Sequence, residues 1–157
     1  GVAERTLEKI HSWPPGLPVF GQLTPFPSTP LYDRLLASGR LIRPKHWMDF
    51  APLEMCHTPL KMSIDDASKE VKLAWQASYS PERNRQALAY LADKPIAEQL
   101  MHLFSRIAFR GIYFPQVGRF QWLRAFGQNW RLLWALASRA RVSYRDWRRT
   151  TAASATG

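Results

Sequence analysis

The residues of this chain that most readily bind metals or attack substrates are few and scattered. Its single cysteine, Cys56, precedes His57 and lies close to Glu54, and the only other histidine nearby is His46. This spacing matches no standard zinc pattern, and one cysteine allows neither an internal disulfide nor a cysteine-rich metal site. No Ser-His-Asp pattern frames any serine as a nucleophile. The sequence therefore predicts no metal site and no catalytic residue within the chain.

A proline-rich loop is the most informative motif. Residues 24–32 read Thr-Pro-Phe-Pro-Ser-Thr-Pro-Leu-Tyr, with Gly-Arg-Leu following at 39–41 and Trp-Met-Asp at 47–49. Thr29 suits a helix N-cap and Pro30 suits the first helical position. The glycine of 39–41 suits the end of that helix. Without further information, the motif is a rigid loop that leads into a short helix.

This motif resembles the end of the catalytic barrel in radical S-adenosylmethionine (radical SAM) proteins, especially the group that also carries a cobalamin-binding domain. Those proteins typically read T-P-x-P-G-T-x-L-Y after the sixth barrel strand, then G-R-L and W-x-D. The resemblance covers about residues 1–90. Ser28 departs from it, since the family usually has glycine there, the residue that readily takes a positive φ. Because ligands of parallel barrels bind where the strands end, the resemblance places four residues near SAM: Thr24, Pro25, Pro27 and Thr29.

The resemblance also implies a function for a larger parent protein. Such proteins use a 4Fe-4S cluster, SAM and, in this group, cobalamin, to methylate, cyclise or rearrange lipids, tetrapyrroles or other natural products. The cluster needs three cysteines, usually spaced C-x-x-x-C-x-x-C, and this chain has one. We therefore expect the chain to be a C-terminal portion that is inactive and binds no cofactor alone. Its expected partner is the rest of the barrel, in the same polypeptide or as a split partner.

The second half of the chain is strongly basic and aromatic. Residues 101–149 hold ten arginines and one acid, a net charge of 10 − 1 = +9, whereas residues 1–100 have a net charge of +1. Apolar residues between 122 and 137 recur at spacings of three and four, as on one face of a helix. Such a helix suits an anionic membrane surface, or it packs against the rest of a larger protein. The residues proposed for this surface are Trp122, Arg124, Trp130, Arg131, Trp134 and Arg139.

Nucleic acid is a less suitable partner, because this half contains no lysine and no recognised nucleic-acid-binding module. The absence of a secretory pattern and of a long apolar run predicts a cytoplasmic location, with membrane association as an open alternative. The chain starts without Met, already inside a helix-like run, which indicates a piece of a longer protein.

The elements that position these motifs are predominantly helical. We predict a mainly α fold, with one short strand over 18–23 as the remnant of a barrel edge. Four segments follow: the barrel end (1–40), a helical extension (41–111), a basic aromatic helical segment (112–149) and a disordered tail (150–157). The last long helix is predicted over about 119–142. A strand without parallel neighbours should remain unpaired or expose an apolar patch.

Overall fold

The computed structural model describes residues 1–42, 50, 54–113 and 119–154, with side chains for all of these except 110–122 and 150–154. The described residues are mainly helical, which confirms the predicted fold class. The helices are α1 (Val2–His11), α2 (Pro30–Ala37), α3 (Ile64–Ser78), α4 (Pro81–Tyr90), α5 (Ile96–Tyr113) and α6 (Arg119–Ser154).

The chain forms two compact units. The first, the N-terminal unit, comprises Gly1–Trp13 and Pro18–Ser78, and the second, the C-terminal unit, comprises Pro14–Leu17 and Tyr79–Gly157. The division after Ser78 falls inside the predicted 41–111 extension rather than at either of its ends. It does so because α3 packs against α1, whereas α4, α5 and α6 pack against one another.

The core of the N-terminal unit lies between α1 and α3. Ala3 and Leu7 on α1 are buried, as are Ala67, Ala74 and Trp75 on α3. Small residues at this spacing let two helices approach closely. Trp75 also fixes the segment before the proline-rich loop, because its indole nitrogen donates to the Phe20 carbonyl at 2.9 Å. The two rings meet edge to face, with centroids 5.7 Å apart.

The strand predicted over 18–23 is not formed, and its place is taken by an irregular segment. Residues 16–26 contain no helix, turn or ladder. The physical reason is that no described strand lies beside them to receive their backbone hydrogen bonds. The described residues instead form one isolated antiparallel bridge, between Leu41 and His57. As predicted for an unpaired segment, apolar side chains remain exposed along it: Val19, Leu23 and Phe26.

The C-terminal unit is a three-helix arrangement with its own core. Leu88 of α4, Leu103 and Ile107 of α5, and Ala125 and Leu136 of α6 form one buried cluster. The predicted start of α6 at residue 119 is confirmed, but the helix ends at Ser154 rather than near 142. It therefore includes part of the tail predicted to be disordered. The sequence has neither glycine nor proline from 128 to 156, so no residue there stops a helix.

Candidate functional sites

The proline-rich loop is built as a tight turn that ends in a helix cap. The Thr29 amide donates to the Phe26 carbonyl at 3.3 Å, with Pro27 and Ser28 between them. Ser28 has φ = +66°. Proline at the second position and positive φ at the third define a type II turn. Serine thus adopts the left-handed conformation that glycine, the residue of the radical SAM pattern at this position, takes without strain.

The two threonines of the loop make local hydrogen bonds. The Thr24 hydroxyl donates to the Gln22 carbonyl at 3.1 Å. The Thr29 hydroxyl donates to the Phe26 carbonyl at 2.6 Å and accepts from the Tyr32 amide at 3.3 Å, as the predicted N-cap of α2. Pro25 is fully buried. The structure therefore gives these residues a clear role in shaping the loop, and their proximity to SAM stays a prediction.

The residues of the chain do not fit an iron–sulfur cluster. Cys56 is buried, and its thiol contacts the Glu54 carbonyl at 3.6 Å. Within the part of the chain that the structure describes, no three His, Cys, Asp or Glu side chains gather closely enough to hold a metal ion. His46, Trp47 and Asp49 lie outside the described residues.

An apolar cleft in the N-terminal unit is a site that sequence reasoning missed. Its volume is about 430 Å³, within the range of small-molecule sites. It lies along α3, with Val71 on that helix, and beside the segment after the Leu41–His57 bridge. Most of its lining is aliphatic or methionine: Val2, Leu23, Met55, Pro59, Leu60, Met62, Ala67 and Val71.

Two buried polar atoms without partners belong to side chains that border this cleft. The side chains are those of Gln22 and His57, which are 8% and 6% exposed. Among the described residues, no hydrogen-bond partner reaches Gln22 Oε1 or His57 Nδ1. The Gln22 amide nitrogen, in contrast, donates to the Ser68 hydroxyl at 3.1 Å. An unpaired buried donor or acceptor costs about 1–3 kcal/mol, so these two atoms lower the stability of the N-terminal unit.

The protonation of His57 is shifted by its surroundings. Burial lowers the pKa of His57, and the nearby Arg40 guanidinium lowers it further. The imidazole is therefore neutral at neutral pH, with one nitrogen donating and the other accepting. The sequence signal for this cleft was weak: Gln22 interrupts an apolar run, but its contact with α3 and with the distant His57 segment depends on the tertiary fold.

Helix α6 divides its apolar residues between two faces. Ala125, Asn129 and Leu136 are buried against α4 and α5. Leu123, Trp130 and Trp134 are exposed, and they lie within about 40° of one another on a helix that turns about 100° per residue. The predicted single stripe is thus split, because the packed face is centred roughly 140° away from the tryptophans.

The surface of α6 that does not pack against α4 and α5 carries aromatic and basic side chains. Trp130 and Trp134 are 59% and 55% exposed, and their ring centroids are 5.7 Å apart. The predicted surface arginines are all exposed as well: Arg124, Arg131 and Arg139. The side chain of Trp122 lies outside the described residues. The structure therefore places five of the six predicted surface residues on solvent-exposed positions of one helix.

A buried polar network holds the C-terminal unit together. The Arg106 guanidinium donates to Asn84 Oδ1 at 2.8 Å and to the Gly16 carbonyl at 2.5 Å. It also lies 5.0 Å from the centroid of the Tyr79 ring. Burial raises the pKa of Tyr79 to about 12, although Arg106 opposes this shift. Asn84 in turn donates to Asn129 Oδ1 at 2.9 Å, which links α4, α5 and α6.

Comparisons with protein-family models, with curated proteins and with solved structures found no match to this chain. The radical SAM assignment therefore rests on the residues quoted above and remains a hypothesis. In the described ranges, none of the helices has an apolar stretch long enough to cross a membrane.

Proposed function

We propose that this chain is the C-terminal portion of a radical SAM enzyme of the cobalamin-associated group, and that it performs no radical chemistry alone. The proposal rests on the motif at 24–32 and on one structural observation. The backbone at Ser28 has φ = +66°, the conformation favoured by the glycine that the family pattern has there. The 4Fe-4S cluster and cobalamin would be bound by residues outside this chain, and SAM would be bound by such residues together with the motif at 24–32.

The irregular segment before the motif supports the same proposal. Leu23 and Phe26 are 62% and 52% exposed, beside backbone groups that no ladder satisfies. In a complete barrel, a neighbouring strand would cover such a segment and form hydrogen bonds with its amides and carbonyls. Exposed apolar side chains on a segment without ladder hydrogen bonds are therefore what a barrel edge without its other strands should show.

The first test uses the chain as it is. After anaerobic reconstitution with iron and sulfide, we expect no stoichiometric 4Fe-4S absorbance, and no 5′-deoxyadenosine after addition of SAM and dithionite. A reconstituted cluster that cleaves SAM would contradict the proposal that the chain is inactive alone.

The second test restores a complete barrel. The cysteine-bearing N-terminal part of a cobalamin-associated radical SAM protein is fused before Gly1, and 5′-deoxyadenosine formation is measured. We expect activity above that of the N-terminal part alone. The KM for SAM should be higher in Thr24→Ala but unchanged in the control Thr6→Ala on α1. A fusion that assembles its cluster but gains no activity would contradict the assignment.

A second candidate function, binding to an anionic membrane surface, is favoured by the outward face of α6. Tryptophan prefers the headgroup region, where its ring is half apolar and its N–H is hydrated. Each arginine near an anionic leaflet contributes about 1 kcal/mol. Trp130 and Trp134 lie on the exposed face rather than in the core, so they are free to insert while neighbouring arginines contact phosphates. A lipid-processing parent enzyme would use such a surface, so the two candidates are compatible.

Vesicle flotation tests this surface. We expect the chain to float with vesicles of 30% phosphatidylserine at low salt, to be released at high salt, and to stay unbound with neutral vesicles. The double variant Trp130→Ala/Trp134→Ala should bind at least tenfold more weakly, while Trp13→Ala, which removes an exposed tryptophan of the N-terminal unit, should bind normally. Absence of binding at low salt would eliminate this function.

A further inference from the structure

We propose that two copies of this chain associate through the exposed face of α6, with their helices side by side and antiparallel. The inference depends on neither function proposed above, although it concerns the same tryptophans as the membrane surface. It rests on the spacing of the exposed residues of α6, on the fit between the two halves of that helix and on the area that is open to a partner.

Exposed residues recur along one line of α6. From Leu123 to Arg148, every position reached by alternate steps of four and three residues is exposed: 123, 127, 130, 134, 137, 141, 144 and 148. We call this line the seam. It lies roughly 130° around the helix from the residues that pack against α4 and α5. Alternate steps of three and four residues are the spacing at which one helix contacts another along its length.

The second half of α6 extends beyond the core of the C-terminal unit. Among the side chains that the structure describes, Leu136 is the last buried one of this helix, and residues 141–149 are all exposed. Most of the stability of a helix in a protein comes from packing of one of its faces, so this half would be stabilised by a partner. The exposed tryptophans of the first half would be covered by the same contact.

An antiparallel arrangement fits the two halves of the seam to each other by size. With the two-fold axis between positions 134 and 137, Trp134 faces Ala137 of the second copy. In the same register, Tyr144 faces Gly127 of the second copy. Each large ring therefore meets a small residue, which allows the two helices to approach closely without a clash or a void.

The arginines of the seam meet aromatic or aliphatic side chains in this register. Arg141 faces Trp130 of the second copy, and a guanidinium stacks favourably on an indole ring. Arg148 faces Leu123 of the second copy, so its aliphatic stem covers the leucine while its charge stays in water. The one acid in residues 119–149, Asp146, lies roughly 150° around the helix from the seam. The register is thus set by size and by stacking rather than by salt bridges.

A parallel pair of helices would not provide this fit. Each seam residue would then face its own counterpart, so that Arg141 opposes Arg141, Trp134 opposes Trp134 and Gly127 opposes Gly127. Such a pair combines like charges, a clash of two large rings and a void. Two halves that complement each other are, in contrast, what a closed dimer with two-fold symmetry requires.

The exposed area is sufficient for a weak dimer. Trp130, Trp134 and Tyr144 are 59%, 55% and 60% exposed, so cover by a second copy would remove about 100 Å² from each. Together with Leu123 and the arginine stems, the two copies would bury about 1,000 Å², the lower limit for a specific interface. The +9 charge of residues 101–149 opposes association, and salt screens this repulsion. We therefore expect micromolar affinity that increases with salt.

Sedimentation velocity of the full chain, from about 1 to 100 µM, tests the association. We expect a monomer–dimer equilibrium that shifts towards dimer between low and high salt, the step that should release the chain from vesicles. Trp130→Arg places an arginine opposite Arg141 of the second copy and should weaken the dimer at least tenfold. The control Val142→Arg adds the same charge at an exposed position off the seam, and its effect should be less than threefold.

Cysteine cross-linking tests the orientation. In a Cys56→Ser background, Gly127→Cys and Tyr144→Cys should be joined by a short bismaleimide when the two variants are mixed, whereas neither should cross-link to itself. Self-linking of each variant would indicate a parallel pair and would overturn the proposal. A chain that stays monomeric at the highest concentration, or equal effects of Trp130→Arg and Val142→Arg, would do the same. A monomer that floats with vesicles would assign the face to the membrane instead. Helical circular dichroism of each variant shows that a loss of association does not reflect unfolding.

Discussion

Replacement of Ser28 by glycine should stabilise the N-terminal unit. Ser28 has φ = +66°, and a left-handed conformation costs a residue with a Cβ atom about 1–2 kcal/mol. Glycine removes that strain, but it loses about 0.5–1 kcal/mol through the greater freedom of the unfolded chain. The net expectation for Ser28→Gly is a gain of about 0.5–1 kcal/mol.

Matched substitutions in the same region separate strain from other effects of glycine. Ser38, the C-cap of α2, has φ = −83°, so Ser38→Gly brings no relief and should destabilise by about 0.5–1 kcal/mol. Gly39 has φ = +65°, so Gly39→Ala introduces the strain that Ser28→Gly removes. The lower freedom of the unfolded chain offsets part of that strain, so the net loss should be about 0.5–1 kcal/mol. The free energy of unfolding should therefore rise in Ser28→Gly and fall in both Ser38→Gly and Gly39→Ala.

Native-state hydrogen exchange is the appropriate assay because the chain has two units and seven tryptophans, which complicate a single fluorescence transition. The Asp33 amide, which donates to the Thr29 carbonyl at 3.2 Å, reports opening of the first turn of α2. A gain of 0.5–1 kcal/mol slows its exchange by roughly twofold to fivefold. If Ser28→Gly and Ser38→Gly change exchange in the same direction, the strain at Ser28 is not real and the structural support for the family motif is lost.

Two further predictions concern the buried polar groups. Asn84→Ala removes one acceptor of the Arg106 guanidinium, which keeps the Gly16 carbonyl, and it also removes the donor to Asn129. It should lower the free energy of unfolding by about 2–3 kcal/mol, against about 1–2 kcal/mol for Asn129→Ala. Urea denaturation of both variants and of the double variant should give a coupling of at least about 1 kcal/mol, and strict additivity would contradict the network. Burial lowers the pKa of His57 and His102, so the unfolded state binds more protons than the native state below about pH 6.5. Stability should therefore fall as pH decreases through that window, and urea midpoints at pH 7.5 and 5.5 should differ in the wild type but converge when both histidines are replaced by glutamine.

The local features of the fold could be predicted from sequence because local rules decide them. Thr29 and Pro30 begin α2 and Gly39 follows its last turn, as predicted from capping preferences. The end of α6 was predicted too early. Its arginine-rich stretch resembles a solvated tail, yet it lacks a residue that stops a helix, and propagation adds a hydrogen bond for each residue.

The cleft could not be predicted because it depends on contacts between distant segments. Gln22 reaches Ser68 on α3, and His57 is brought near by its bridge to Leu41. Sequence periodicity predicts neither of these two contacts.

The face of α6 that packs against its neighbours could not be predicted from sequence periodicity either. Aromatic residues outnumber other large apolar residues in its first half, so periodicity alone assigns them to the packed face. The structure instead buries Asn129, whose amide donates to the Ala125 carbonyl at 2.8 Å and whose oxygen accepts from Asn84. A buried asparagine whose amide nitrogen and oxygen both have partners fixes how a helix is rotated, because any other rotation would leave these atoms unpaired. The outward position of Trp130 and Trp134, on which the membrane proposal depends, thus follows from a polar contact in the core.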